Sequence, residues 1–412
     1  MIMIQVRTVF KITAPLLSIF ILINGLGVLA TFIPIQINAG GGSAFDVGLI
    51  TGAYYLGLSL GAFRNAHLIL RIGHIRAFSA FAALITVAIL SMGFSYSLLL
   101  WCLLRALSGY CLAGLYIVIE SWILKESTVK TRGVFLALYM IAIYGASASG
   151  QFLLNIGSAT SSLMFTVAAM LAALSIVPLA VTRAGNPVIE EPSALNIFDL
   201  FKLSPSGLVS CTCSGLMFGA ISSFVPLYLR TILADLSQTA FVMFLVLMGG
   251  VLLQYPVGWL SDQFDRRKML MILCGVIIAI GTTLIIIPPQ SGLFLYGLMF
   301  FFGGASFSLY PVSMSHTCDV LNPNAIVSAT QGLMLAYGVG AIFGPLIAPI
   351  FQSIFGYVGI FIYFNIACLG LGVYLFTRLL TQKPHTAAEQ HSFVPMPNTT
   401  PIAAELDPRA DA

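Results

Sequence analysis

The chain has 412 residues, of which 59% are hydrophobic and only 8% charged, with a formal net charge of +4. Soluble domains carry about 25% charged side chains, so this composition excludes a water-facing surface and makes lipid the main solvent. The small positive excess does not indicate a nucleic-acid partner, because topology accounts for where the basic residues lie.

A helix needs about 20 apolar residues to cross a bilayer. Charge clusters and Gly/Pro breaks delimit twelve candidate spans. Six fall near residues 12–37, 46–69, 77–96, 98–122, 132–154 and 161–182. Six more fall near 206–229, 238–260, 268–288, 292–315, 325–350 and 356–379.

The first span is too long for the apolar core of a signal peptide and has no small-residue cleavage site, so it reads as an uncleaved helix. Its Asn24, Gly27 and Thr31 share one face, suited to lining a cavity. Span 2 carries the Gly57–Gly61 spacing of close helix packing, and the loop after it holds Arg71, Gly73 and Arg76. Span 4 holds two charges, Arg105 and Glu120, on one helical stripe. Charges inside a span are expensive and mark either function or a structural anchor. Arg105 lies roughly 10 Å below the outer end at about 1.5 Å per residue. It either senses protonation and holds a polar or anionic substrate, or ties neighbouring backbone carbonyls together. Glu120 is too far along the helix to reach Arg105. It is placed to meet Arg71, Arg76 or Arg132, as a latch that opens on protonation or as a static pair. Span 5 adds Tyr144 and Gln151.

Residues 183–205, with two Glu and three Pro, read as a connector, and Ala194–Lys202 as a short surface helix. Beyond it, Ser222 and Ser223 lie in span 7 and Gln254 in span 8. Asp262, Arg266 and Arg267 form a second, weaker latch. Tyr116 and Tyr310 occupy matching places in spans 4 and 10, while Gln331 and Tyr337 come from span 11. His316 and Asp319 at the end of span 10 read as interfacial residues, with a proton shuttle as the alternative. The seven cysteines sit in or beside apolar stretches and read as inert, so neither a metal, a disulfide framework nor a cofactor is expected. From Thr381 onward a Pro-, Thr- and Ala-rich tail reads as disordered.

Basic residues then set the orientation. With both termini inside, sixteen Lys and Arg lie at cytoplasmic ends and Arg230 alone lies outside, as the positive-inside rule requires. The halves also repeat. Pro34 and Pro226 are 192 positions apart, as are Gly27 and Gly219; Tyr116 and Tyr310 are 194 apart, and Tyr144 and Tyr337 are 193 apart. The expected architecture is therefore an all-α membrane protein of twelve transmembrane helices in two pseudo-symmetric six-helix bundles. Residues 1–182 form one bundle, 183–205 a cytoplasmic linker, 206–380 the second bundle, and 381–412 the disordered cytoplasmic tail.

The loops after spans 2 and 8 carry a recognisable pattern. Gly258-Trp259-Leu260-Ser261-Asp262 runs into Arg266-Arg267-Lys268, and Arg71-Ile72-Gly73 into Arg76, with Leu70 in the acidic slot. Arg105 and Gly109 form an Arg-x-x-x-Gly element. Over about residues 12–380 these features resemble the major facilitator superfamily, near its bacterial inner-membrane drug and sugar exporters. The resemblance implies a monomeric secondary transporter that moves a small organic solute by alternating access, driven by the proton gradient, and not an enzyme. No Walker phosphate loop is present. Polar side chains at Asn24, Thr31, Arg105, Tyr116, Tyr144, Gln151, Ser222, Gln254, Tyr310 and Gln331 would line its path. Arg71, Gly73, Arg76, Arg105, Glu120, Arg132, Asp262, Arg266 and Arg267 would gate it. No acid lies in span 1, which points to a neutral or anionic cargo. A membrane sensor or assembly partner on the same fold is the alternative.

Overall fold

A computed structural model of the protein describes residues 2–94, 96–128, 130–182, 197–287, 292–321, 326–381 and 390–411. Helices α1 (Ile2–Ala39), α2 (Ala44–Ile72), α3 (His74–Phe94), α4 (Leu98–Glu126), α5 (Arg132–Gly150) and α6 (Leu163–Leu174) make the first half. A 3-10 turn, Gln151–Ile156, extends α5, and Ile176–Ala180 continues α6 beyond Ser175. The second half contains α7 (Pro205–Ile232), α8 (Leu236–Leu252), α9 (Arg266–Ile286), α10 (Leu293–Cys318), α11 (Ile326–Phe355) and α12 (Gly359–Thr381). Gln254–Ser261 carries α8 on past Leu253. Most of the expected connector lies outside the described residues; Ile197–Leu203 is a short helix, overlapping the stretch read as a surface helix.

Among the described residues ten segments are long and apolar enough to cross a bilayer, and the last of them, Ile326–Thr381, contains both α11 and α12. Helix α2 falls outside that set because it carries Asp46, Arg64, Asn65 and Arg71. It tolerates polarity because it packs on α4 and α11 and faces protein along much of its length. Outward-facing side chains are apolar: Leu103, Met170 and Leu369 are 60%, 66% and 58% exposed, which suits lipid contact.

Helix ends follow local chemistry. Ser43 and Asp46 close a capping box at the start of α2: the Asp46 N–H donates to Ser43 Oγ (3.2 Å) and the Ser43 N–H to Asp46 Oδ2 (2.8 Å). At the other end Gly73 terminates the helix with φ +88°, a conformation that side chains with a Cβ disfavour. Asp265 caps α9 by accepting from the Arg267 N–H at 2.9 Å.

The sequence repeat becomes a repeat in packing. A Cβ built on Gly57 would lie 1.9 Å from the Ala106 carbonyl oxygen, and one on Gly109 2.1 Å from that of Tyr54. Helices α8 and α10 meet the same way, with Gly249 at 1.9 Å from the Phe300 oxygen and Gly303 at 2.0 Å from that of Val246. Gly57 and Gly249 are 192 positions apart, and Gly109 and Gly303 are 194 apart. Each bundle is thus clamped by the same backbone-to-backbone crossing, which only glycine permits.

The halves meet at the end where α2 begins. Thr51 and Ser223 hydroxyls lie 2.9 Å apart, Gly48 abuts the Pro345 carbonyl, and Phe152 and Phe244 rings are 4.9 Å apart. At the opposite end, where the basic loops gather, the tail separates the halves. Disorder was expected from Thr381 onward. Residues 382–389 lie outside the described residues, but 390–409 pack into the bundle, with Met396 1%, Thr400 0%, Ala404 0% and Leu406 0% exposed. The Pro401–Leu406 turn packs against α4, α5 and α11. The segment is ordered because Met396, Ile402 and Leu406 bury apolar surface while its hydroxyls meet a buried carboxylate.

Candidate functional site

A central cavity of about 160 Å³ lies between the halves. Helices α1, α2, α4 and α5 supply one wall and α7, α8, α10 and α11 the other, with Pro397, Asn398 and Thr399 of the tail closing one side. No lining side chain is charged. Six polar residues read from the sequence reach it: Thr31, Tyr116, Tyr144, Gln151, Ser222 and Tyr337. Gln151 is fixed by donating to the carbonyls of Gly27 and Ser147, both at 3.1 Å.

Five others lie behind the wall. Asn24 joins helices, donating to Phe20 O at 3.3 Å and accepting from Ser149 Oγ at 3.3 Å. Gln254 is buried beside Tyr144. Tyr310 packs edge-on to Tyr337 with ring centres 5.1 Å apart, and Gln331 is buried in α11. Arg105 is 7% exposed, and its guanidinium stands 4.1 Å from the centre of the Tyr54 ring. That ring lines the cavity, so Arg105 acts one layer back, through a cation–π contact.

The polar set read from the sequence implies a mostly apolar, aromatic-rich cavity with few charges, and the lining has that character, but Tyr54, Tyr55, Phe218 and Phe307 are not among the residues it names. Tyr55 meets Phe218 at 6.4 Å, Phe218 meets Phe307 at 5.2 Å and Tyr337 at 6.0 Å, and Phe307 meets Tyr144 at 6.2 Å. The repeat contained the signal. Leu26 and Phe218, Tyr54 and Val246, and Tyr55 and Leu247 are each 192 positions apart, and all six line the cavity.

Glu120 sits at the tail side of this space, fully buried. Among the described residues it is the one buried acid within a membrane-spanning helix. Tyr139 donates to Glu120 Oε1 at 2.7 Å, and the hydroxyls of Thr399 and Thr400 donate to the two carboxylate oxygens. In place of the expected partners Arg71, Arg76 and Arg132, Glu120 is met by Tyr139 and by tail donors, the Ala403 N–H among them. Asn398 donates to the Tyr337 hydroxyl.

The second latch is an ion cluster. Arg266, fully buried, pairs with Asp262 at 3.0 Å and with Asp319 at 2.6 Å, and its guanidinium also donates to Ser261 Oγ at 3.0 Å. Tail backbone joins it: the His391 N–H donates to Asp319 and the Phe393 N–H to Asp262, each at 3.0 Å, while Arg266 donates to the His391 carbonyl. Asp319 therefore serves Arg266 and the tail. Burial lifts its carboxyl above the ordinary value despite the attraction of Arg266. Arg267 pairs with Asp265 at 2.6 Å. Burial pushes the Asp265 carboxyl up, but the guanidinium and the N–H of Arg267 outweigh it and hold the group below 3.8. Gly73 ends α2 at the first-half loop, where Arg71 and Arg76 are exposed and Arg132 is half-buried. Among the described residues no group of three or more His, Cys, Asp or Glu is placed to hold a metal.

Comparison with known proteins agrees with this architecture. A family model described as Major Facilitator Superfamily matches residues 207–404. The chain is 28% identical over 330 residues to an uncharacterized MFS-type transporter, YcaD, of Escherichia coli O7:K1 (strain IAI39), covering 80% of this chain and 85% of that protein. It is similar in fold to the nucleoside transporter NupG (TM-score 0.77, 13% identity, 90% of this chain and 99% of that one). A bacterial homologue of the human lysosomal transporter Spinster, inward-facing and occupied, matches at TM-score 0.75 and 14% identity, over 93% of this chain and 98% of that one.

Proposed function

We propose that this chain, a member of the major facilitator superfamily, is a proton-coupled secondary transporter of a small, net-neutral organic solute. It acts as a monomer in the inner membrane with both termini cytoplasmic, and its halves rock about the central cavity to expose it to each side in turn. One observation carries the reading: an uncharged, aromatic cavity lies between the halves, and its lining residue Thr399 donates to a single buried carboxylate, Glu120. The lining offers no fixed charge for an ionic cargo, since Arg105 is turned to Tyr54. A carboxylate held by neutral donors, three hydroxyls and the Ala403 N–H, can lose its charge without stranding a cation, which suits a proton-coupling group. Fold likeness to a protein named as a nucleoside transporter fits a neutral cargo.

Reconstituted protein should acidify the vesicle lumen, reported by trapped pyranine, when a neutral metabolite from a screened panel is added outside. Glu120→Gln should lower that proton flux about 100-fold. Proton flux in Glu120→Gln equal to the parent's would contradict the assignment. The tail between the halves also suits a sensor through which nothing passes; absence of counterflow for every solute that binds would favour that reading.

A further inference from the structure

We propose that tail residues 397–400 are a tethered ligand. They hold the place of a solute with adjacent hydroxyls at Glu120, and the tail must leave before such a solute can fill the cavity. The inference rests on the cavity being a solute site.

Position and chemistry both support it. Pro397, Asn398 and Thr399 form part of the cavity wall, the one lining segment that is not helical. The consecutive side chains Asn398, Thr399 and Thr400 each donate to a group of the helical walls, the first to Tyr337 and the other two to Glu120. A strap that only filled space would present apolar side chains at its tip. This tip presents a run of polar groups instead. Two neighbouring hydroxyls on one carboxylate are the pattern that a sugar-like diol offers a buried Asp or Glu. With the tail gone, Tyr139 would be the remaining side-chain donor to Glu120, and a carboxylate short of donors in a buried site is costly. A polyhydroxylated solute would restore what the threonines supply.

Mechanics point the same way. Residues 401–406 lie against α4 of one half and α11 of the other, and Ile402, Ala404 and Leu406 are buried there. Close-packed side chains leave no room for the halves to approach at this end. The tail is held by exchangeable contacts: at one end to Asp262, Arg266 and Asp319, and at the other from Arg409 to Ser315 Oγ at 3.1 Å. Nothing covalent prevents its departure, so a tail-bound chain is held open at the basic end and self-occupied.

The test uses the full chain. Ala404→Cys places a reporter thiol at a fully buried, small position, and labelling by a membrane-impermeant maleimide is followed in detergent against the parent chain. Labelling should be slow, and at least tenfold faster when Thr399→Val and Thr400→Val remove both hydroxyls without changing side-chain shape. In the Ala404→Cys chain with native threonines, saturating D-xylose or uridine, two neutral solutes with adjacent hydroxyls, should also accelerate it, and mannitol-free buffer of equal osmolarity should not. In proteoliposomes the valine pair should raise flux of the accelerating solute at least tenfold. Labelling indifferent to the valine pair overturns the tethered ligand, and labelling indifferent to both solutes overturns its chemical class. Accelerated labelling with no flux of either solute would uphold the tethered ligand and count against transport. Flux that the valine pair leaves unchanged, with slow labelling throughout, would do the reverse.

Discussion

At the scale of single residues, two charges in α4 divide the work. Glu120 accepts from Thr399 and Thr400 of the tail beside the cavity, whereas Arg105 stands behind Tyr54 and orients a ring that solute would touch. A cation–π contact in a desolvated site is worth about 2 kcal/mol. Arg105→Met keeps the length and loses the charge, so it should raise the KM for solute about tenfold with the protein still inserted; an unchanged KM would remove Arg105 from the site. Asp265 gives a pH-dependent test. Its folded pKa lies below the ordinary 3.8, so its contribution is complete above that value and is lost as pH falls through the lower, folded one. Asp265→Asn should therefore destabilise by about 2 kcal/mol near neutral pH, between the values for exposed and buried pairs. The melting-temperature gap to the parent should narrow toward about pH 3, and a gap that is constant with pH would contradict the ion-pair account. Residue polarity in the sequence singled out Thr31, Tyr116, Tyr144, Gln151, Ser222 and Tyr337, which lie on the cavity wall. It could not separate them from Asn24 or Gln254, because a polar group that joins helices and one that lines a path look alike without a third dimension.

At the scale of helices, the governing contact is the glycine crossing used once in each half. Adding a methyl at Gly57 places carbon 1.9 Å from a carbonyl oxygen of the partner helix, and Gly249 faces the same distance. Gly57→Ala and Gly249→Ala should each cost about 3 kcal/mol, at the upper range of overpacking, with matching falls in melting temperature. A large effect at one site and none at the other would argue against equivalent crossings. The spans were readable because hydrocarbon thickness fixes their length and loop charge fixes their ends. Helix α2 was readable from the charge clusters and breaks that bound it, although its hydropathy is diluted by polar residues. The tail was not readable at all. Its Pro and Thr content suggests solvation, and only the buried Glu120, far away in sequence, explains why its threonines are ordered.

At the scale of the whole molecule, the halves are in contact where α2 begins and apart at the basic end, where the tail intervenes. This is one of the two states that alternating exposure requires; the other needs the Thr51–Ser223 contact to break and the tail to withdraw. The most direct measurement is solute counterflow in proteoliposomes of the Thr51→Cys/Ser223→Cys chain, before and after reduction, at positions whose hydroxyls are 2.9 Å apart. If the halves must separate there on every cycle, oxidation stops counterflow and a reductant restores it to the level of the unlinked chain. Counterflow that continues at full rate through an intact cross-link would contradict alternating access between these two bundles.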